Sequence, residues 1–245
     1  MRNSYIIGLL LTVLISQNTL ADEPTTQSGI ATSSLNHAIK DAEALGNQRW
    51  AFSTLYTSIE DDGNKSTYRL NFDPRRDEGK RWTLIEPTEE TLSKEEKKAF
   101  RKISSADNAD ESLVYDSLSD RVTPDDLISE SDGFAVFKGQ FDDDDMPKSV
   151  RDALKMEIIL DTTQHFVTKI SVIAEKPFKP APVAKVNTMQ QIQTYAPVGP
   201  KGEILLTRST SVVEGKAFFK AFSSNTITEY SDFTRVDGPA FPEDE

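Results

Sequence analysis

The stretch that decides the fold is RWAFSTLYTSIEDDGNKSTYRLNF, residues 49–72. Trp50, Phe52, Thr54 and Tyr56 fall on one side of an alternating run, with Ala51, Ser53, Leu55 and Thr57 on the other. Successive side chains of an extended chain point to opposite faces, so this period of two predicts a strand with one apolar face. Asp61-Asp62-Gly63-Asn64 is a turn signal, after which Tyr68, Leu70 and Phe72 restore the period. The segment reads as a β-hairpin. DPRRDEGKR (73–81) is a polar connection, and Trp82 and Leu84 mark a third strand.

The same reading extends through the C-terminal half. Phe134 to Phe141 alternates, and a short helix near Ser149 leads into Met156, Ile158 and Leu160. DTTQ (161–164) turns the chain onto Phe166, Thr168, Ile170, Val172 and Ala174. KPFKPAP (176–182) is too rich in proline for a central strand. Further strands are expected over 185–198, 203–214, 217–223 and 227–233, with Gly215 as a break. Short turns between successive strands predict a mainly β (α+β) chain. It would be a curved antiparallel sheet or half-barrel of about 9–11 strands with two or three covering helices.

Helix signals are fewer. Leu35, Ala38, Ile39, Ala42 and Leu45 keep helical spacing after Ser34, and Gly46 stands where a left-handed C-terminal residue is common. Ser93 and Glu96 form a capping-box pattern ahead of KEEKKAFRKIS. The whole of 87–130 reads as a surface insertion, helical or irregular. The expected organisation is a signal peptide (1–21), a flexible leader (22–34), one domain (35–236) and a frayed tail (237–245).

The signal-peptide reading rests on Arg2, an apolar run from Ile6 to Ile15, and a polar segment ending in Ala21. That run is shorter than the roughly 20 residues a spanning helix needs. The expected location is therefore the periplasm, with the extracellular space as the alternative, and nothing would span a membrane once the signal is removed. The chain has no cysteine, so disulfides, thiolate metal sites and cysteine nucleophiles are excluded. Its 28 Lys+Arg against 40 Asp+Glu give a net charge of −12, which argues against nucleic acid and offers no basic patch for anionic lipid.

Catalytic signatures are absent: there is no G-x-S-x-G, H-E-x-x-H, phosphate loop or dinucleotide fingerprint. The two histidines, His37 and His165, read as surface residues. Asp142, Asp143, Asp144 and Asp145 lack the spacing and glycine of a calcium loop and read as a solvated turn. No enzyme activity, metal or cofactor is expected. What stands out is the row of apolar residues that successive strands would place on one face: Trp50, Phe52, Tyr56, Tyr68, Leu70, Phe72, Trp82, Leu84, Ile158, Leu160, Ile170 and Phe219. They would form either an ordinary core or the lining of a cavity for an apolar ligand, since both want the same residues.

Residues 49–52 (RWAF), 68–84 (YRLNFDPRRDEGKRWTL), 157–172 (EIILDTTQHFVTKISV), 177–180 (PFKP) and 229–233 (EYSDF) together resemble a group of uncharacterised bacterial exported proteins. The architecture is similar to the LolA/LolB-like half-barrel, whose members carry lipoproteins or bind lipid or peptide signals in the periplasm. The resemblance implies a non-catalytic protein that binds a lipid, acyl chain or other apolar small molecule. The alternatives are an envelope protein with a filled core that binds a protein partner, and a carbohydrate-active enzyme using carboxylates.

Overall fold

The hairpin of residues 49–72 is one end of a single large sheet. A computed structural model describes residues 27–60, 63–104, 109–141 and 146–236. The expected signal peptide, the four aspartates at 142–145 and the tail at 237–245 lie outside them. The strands are β1 (Arg49–Glu60), β2 (Lys65–Phe72), β3 (Trp82–Glu86), β4 (Leu127–Ser131), β5 (Phe134–Gly139), β6 (Leu154–Asp161), β7 (Phe166–Ala174), β8 (Phe178–Ala181), β9 (Ala184–Pro197), β10 (Ile204–Ala217) and β11 (Lys220–Val236). The helices are α1 (Gln27–Gly46), α2 (Lys94–Ile103) and α3 (Lys148–Arg151). The strands run in the order β3-β2-β1-β11-β10-β9-β7-β6-β5-β4, with β8 attached to β9. The sheet is antiparallel, and because its edges β3 and β4 do not pair it stays open.

Nearly every pairing joins neighbours in sequence, as short turns dictate. The exceptions are β7 with β9, which leaves the proline-bearing β8 aside, and β1 with β11, where Tyr56 lies opposite Thr228. That second pairing joins the N-terminal hairpin to the rest of the sheet. One face is buried and the other is polar, as is usual for antiparallel sheets. The buried face carries Trp50, Phe52, Phe72, Phe137, Ile158, Leu160, Leu205 and Leu206 in one cluster with Leu35 of α1. Each such side chain contributes about 1.5–3 kcal/mol relative to exposure.

Because β3 and β4 are consecutive in the chain yet occupy opposite edges, residues 87–126 must cross the sheet. Nine strand spacings of about 4.8 Å make this a path of roughly 40 Å along the sheet. The segment crosses over the buried face. Leu92, Phe100 and Ile103 pack on Tyr68 and Leu70, while Leu113, Val114, Tyr115, Leu118 and Val122 enter the main cluster. The expectation of a surface insertion is therefore corrected: its second half is core, and its last residues form β4. The Ser93–Glu96 capping box is present, with Glu96 N donating to Ser93 Oγ at 3.2 Å and Ser93 N donating to Glu96 Oε2 at 2.8 Å.

Four further expectations change. The leader was expected to reach residue 34, but α1 begins at Gln27, because Ala31 and Ser34 extend the buried stripe of Leu35, Ala38 and Ala42. Gly46 ends α1 without a positive φ. Phe219 lies in no strand. Gly215, expected as a break, sits inside β10, where an added Cβ would come within 2.3 Å of the Lys185 carbonyl oxygen. The hairpin turns later, at Phe218 and Phe219, with Ala217 opposite Lys220. Their φ values of 49° and 66° are those of a two-residue turn that ordinarily takes Asn-Gly. A side chain held in this region costs about 1–3 kcal/mol, so no ordinary turn signal marks the position.

Candidate functional site

A cavity of about 550 Å³ lies under the crossover, in the size range of small-ligand pockets. Its floor is one cross-strand row: Ile158 of β6 pairs with Ile170 of β7, which pairs with Gln193 of β9. Tyr195 and Met156 extend the floor, and Val114, Tyr115 and Leu118 form the roof. Arg121 and Gln193 are the strongest hydrogen-bonding groups among the lining residues. Met146 also lines the cavity while packing on a second cluster of Val150, Ala153, Phe178 and Val186. The cavity thus occupies a gap between two packed regions on the buried face.

Tyr115 holds the roof in place. Its hydroxyl accepts a hydrogen bond from Val167 N at 3.3 Å, and its ring meets Tyr195 edge-on at a centroid distance of 4.9 Å. Burial pushes the Tyr115 phenol up to about 12, so it stays neutral across the physiological range. Asp126, near the end of the crossover, behaves differently. Burial alone would raise its pKa, but bonds from Thr123 and Gln140 and the charge of Lys138 hold it below the ordinary aspartate value.

A second concavity shares Phe141 and Met156 with the first and is lined by Lys138, Gln140, Arg151, Asp152, Lys155 and Glu175. A hollow of mixed apolar and polar lining therefore adjoins a charged one across two side chains. That arrangement can hold an amphiphile, with its hydrocarbon in one and its polar end in the other.

Of the residues expected to line a cavity, Ile158 and Ile170 line this one. Trp50, Phe52, Phe72 and Leu160 are packed in the main cluster, and Tyr68 and Leu70 in the cluster beneath α2. Tyr56, Trp82 and Leu84 pack against those clusters. Phe52 stacks on Phe72 at 5.1 Å and meets Trp82 edge-on at 5.8 Å, leaving a filled aromatic core. Phe219 is fully exposed at its hairpin tip. The crossover residues Val114, Tyr115 and Leu118 were missed as lining; the spacing of Val114, Leu118 and Val122 was the available signal.

The two histidines share one place. His165, in the β6–β7 turn with φ of 59°, lies 5.4 Å from His37 of α1 between ring centroids. Ser34 Oγ is 2.8 Å from His165 Nδ1 and also donates to the Thr162 carbonyl at 3.3 Å. A hydroxyl with one proton can do both only if His165 Nδ1 donates, which assigns that tautomer. The contacts tie α1 to the sheet, and the full burial of Ser34 removes it from any substrate.

Comparison with known protein families, with characterised proteins and with solved structures yields no match. What the structure defines is a class by architecture: an open antiparallel sheet whose own crossover covers one face.

Proposed function

We propose that this chain is a non-catalytic exported protein of the cell envelope that holds a lipid, acyl chain or similar amphiphile beneath its crossover. The observation that carries this reading is the cavity floored by Ile158 and Ile170, with Arg121 and Gln193 in its lining, adjoining a charged hollow across Phe141 and Met156. Burial of hydrocarbon at about 25 cal/mol per Å² would drive binding, and the charged hollow would orient the polar end. The LolA/LolB-like resemblance of the sequence points to the same class of ligand. The test is to purify the protein, denature it and analyse the extract for lipid by mass spectrometry, with displacement of a fluorescent fatty acid in parallel. Lipid in the extract and displacement that Ile170→Trp abolishes would support the reading; neither one appearing would overturn it.

A second reading, an envelope protein that binds another protein, draws on a different observation. Most of the aromatic row is filled core, and such a core needs no ligand. Binding of the fatty acid unaffected by Ile170→Trp, with no lipid in the extract, would favour it.

A further inference from the structure

Two hairpin tips lie side by side at one end of the sheet. The β8–β9 turn is Pro182-Val183, closed by Ala181 opposite Ala184, and the β10–β11 turn is Phe218-Phe219. Ala184 pairs with Ala217, and Phe218 N donates to the Val183 carbonyl at 3.0 Å, so the two turns form one surface. Val183, Phe218 and Phe219 are all exposed, Phe219 fully. An apolar hollow between them is lined by Lys179, Lys185 and Lys216 as well as by the phenylalanines.

Two local rules are broken here. Bulky side chains occupy both left-handed turn positions, where Asn-Gly would be relaxed. Lys185 and Lys216 stand directly opposite each other on adjacent strands, where like charges repel. The charge pattern is as unusual. Residues 176–200 and 215–228 contain Lys176, Lys179, Lys185, Lys216 and Lys220 and not one acid, in a chain with 40 acids. Among the described residues, no ion pair engages Lys179, Lys185, Lys216 or Lys220. The sequence expectation of no basic patch is corrected at this point: the lysines are far apart in the chain and converge only when β9, β10 and β11 pair.

We propose that this double tip docks on an anionic lipid surface, with Phe218, Phe219 and Val183 entering the headgroup–acyl boundary and the lysines meeting lipid phosphates. Exposed aromatic residues with a basic collar are the two elements of interfacial binding. A chain of net charge −12 is repelled from an anionic surface elsewhere, so the tip, which extends several residues beyond Glu214 and Glu60 on these strands, is the part that can approach. A protein partner fits less well. Two phenylalanines offer about 150–250 Å² each, short of the roughly 800 Å² per partner of a stable interface. The inference does not depend on the ligand reading: Gln193 of the cavity floor is nine residues along β9 from Ala184, about 30 Å at strand spacing.

The absence of cysteine makes the test specific. In the full chain, Ala221→Cys places an environment-sensitive dye beside the tip, and Thr67→Cys places one on β2, about 20 Å away, two strands across and six residues back from Ala221. Vesicles of equal parts phosphatidylcholine and phosphatidylglycerol should shift the first dye to the blue and leave the second unchanged. Vesicles of phosphatidylcholine alone, or ionic strength near 1 M, where the screening length is about 3 Å, should abolish the shift. Phe218→Asn with Phe219→Gly relaxes the turn, so the protein should fold at least as well yet lose the shift. Lys185→Ser with Lys216→Ser should weaken binding by about 25-fold, fivefold for each lysine. No shift on anionic vesicles, a shift that survives the Asn-Gly variant, or an equal shift at Thr67→Cys would overturn the proposal. A shift that grows with protein concentration before vesicles are added would overturn it too, in favour of a second copy.

Discussion

Arg49 and Asp110 form a side-on ion pair that ties the crossover to the first residue of β1. Arg49 Nε contacts Asp110 Oδ2, Arg49 Nη2 donates to Oδ1 at 3.4 Å, and Trp50 N reaches Oδ2 at 3.4 Å. Asp110 is 1% exposed, so its carboxylate depends on these donors. Removing one partner of a buried pair withdraws that compensation from the other charge, at a cost of about 3–5 kcal/mol. Asp110→Ala should lower the unfolding free energy measured in urea by that amount. Arg49→Met together with Asp110→Leu should recover much of the loss, and a double variant as unstable as the single one would show that packing, not charge, is responsible.

Thr54 presents the opposite case. Its hydroxyl is buried on the core face of β1 and has no hydrogen-bond partner among the described residues. A buried hydroxyl without a partner costs about 1–3 kcal/mol relative to an apolar group of the same shape. Thr54→Val should therefore raise the melting temperature. A fall would mean that the hydroxyl is satisfied by water inside the core.

Burial also governs the alkaline limit. It pushes the phenols of Tyr115 and Tyr230 up to about 12, above the ordinary value near 10. Between these values the native chain holds protons that the unfolded chain releases, so stability is complete below pH 10 and falls as pH rises toward 12. Phenolate absorbance from these two residues should appear only near pH 12 or together with unfolding. Tyr230→Phe should remove part of the alkaline loss, and an unchanged profile would refute the assignment.

The legible parts of the fold follow from local rules. Alternation located β1, β2, β6 and β7 because one side of each strand is buried along its length, and Ser93 and Glu96 announced α2 by their own side-chain chemistry. The pairing of β1 with β11 was not legible, since residues nearly two hundred positions apart carry no mark of each other. The role of residues 109–122 was hidden for a related reason. A segment crossing a sheet needs only scattered apolar contacts, and Leu113, Tyr115 and Leu118 are few among acidic neighbours. At Phe218-Phe219 the sequence misled, because the turn violates the propensity that normally announces one. The candidate site suffered most: aromatic rows mark burial, and only the packing of the crossover decides where burial is incomplete.

That difference between core and cavity yields the last prediction. Ile170 is half-buried and borders empty space, whereas Phe52 is enclosed by Phe72, Trp82, Tyr230 and Phe233. Ile170→Trp should place an indole in the cavity at little cost, within about 1 kcal/mol, because the added volume has somewhere to go. Phe52→Ala should cost about 3–5 kcal/mol, as for other truncated core aromatics. Displacement of a fluorescent fatty acid should respond in the reverse order, abolished by Ile170→Trp and retained by Phe52→Ala below its melting temperature. If Ile170→Trp proved as destabilising as Phe52→Ala, the space above Ile158 and Ile170 would be closed in solution.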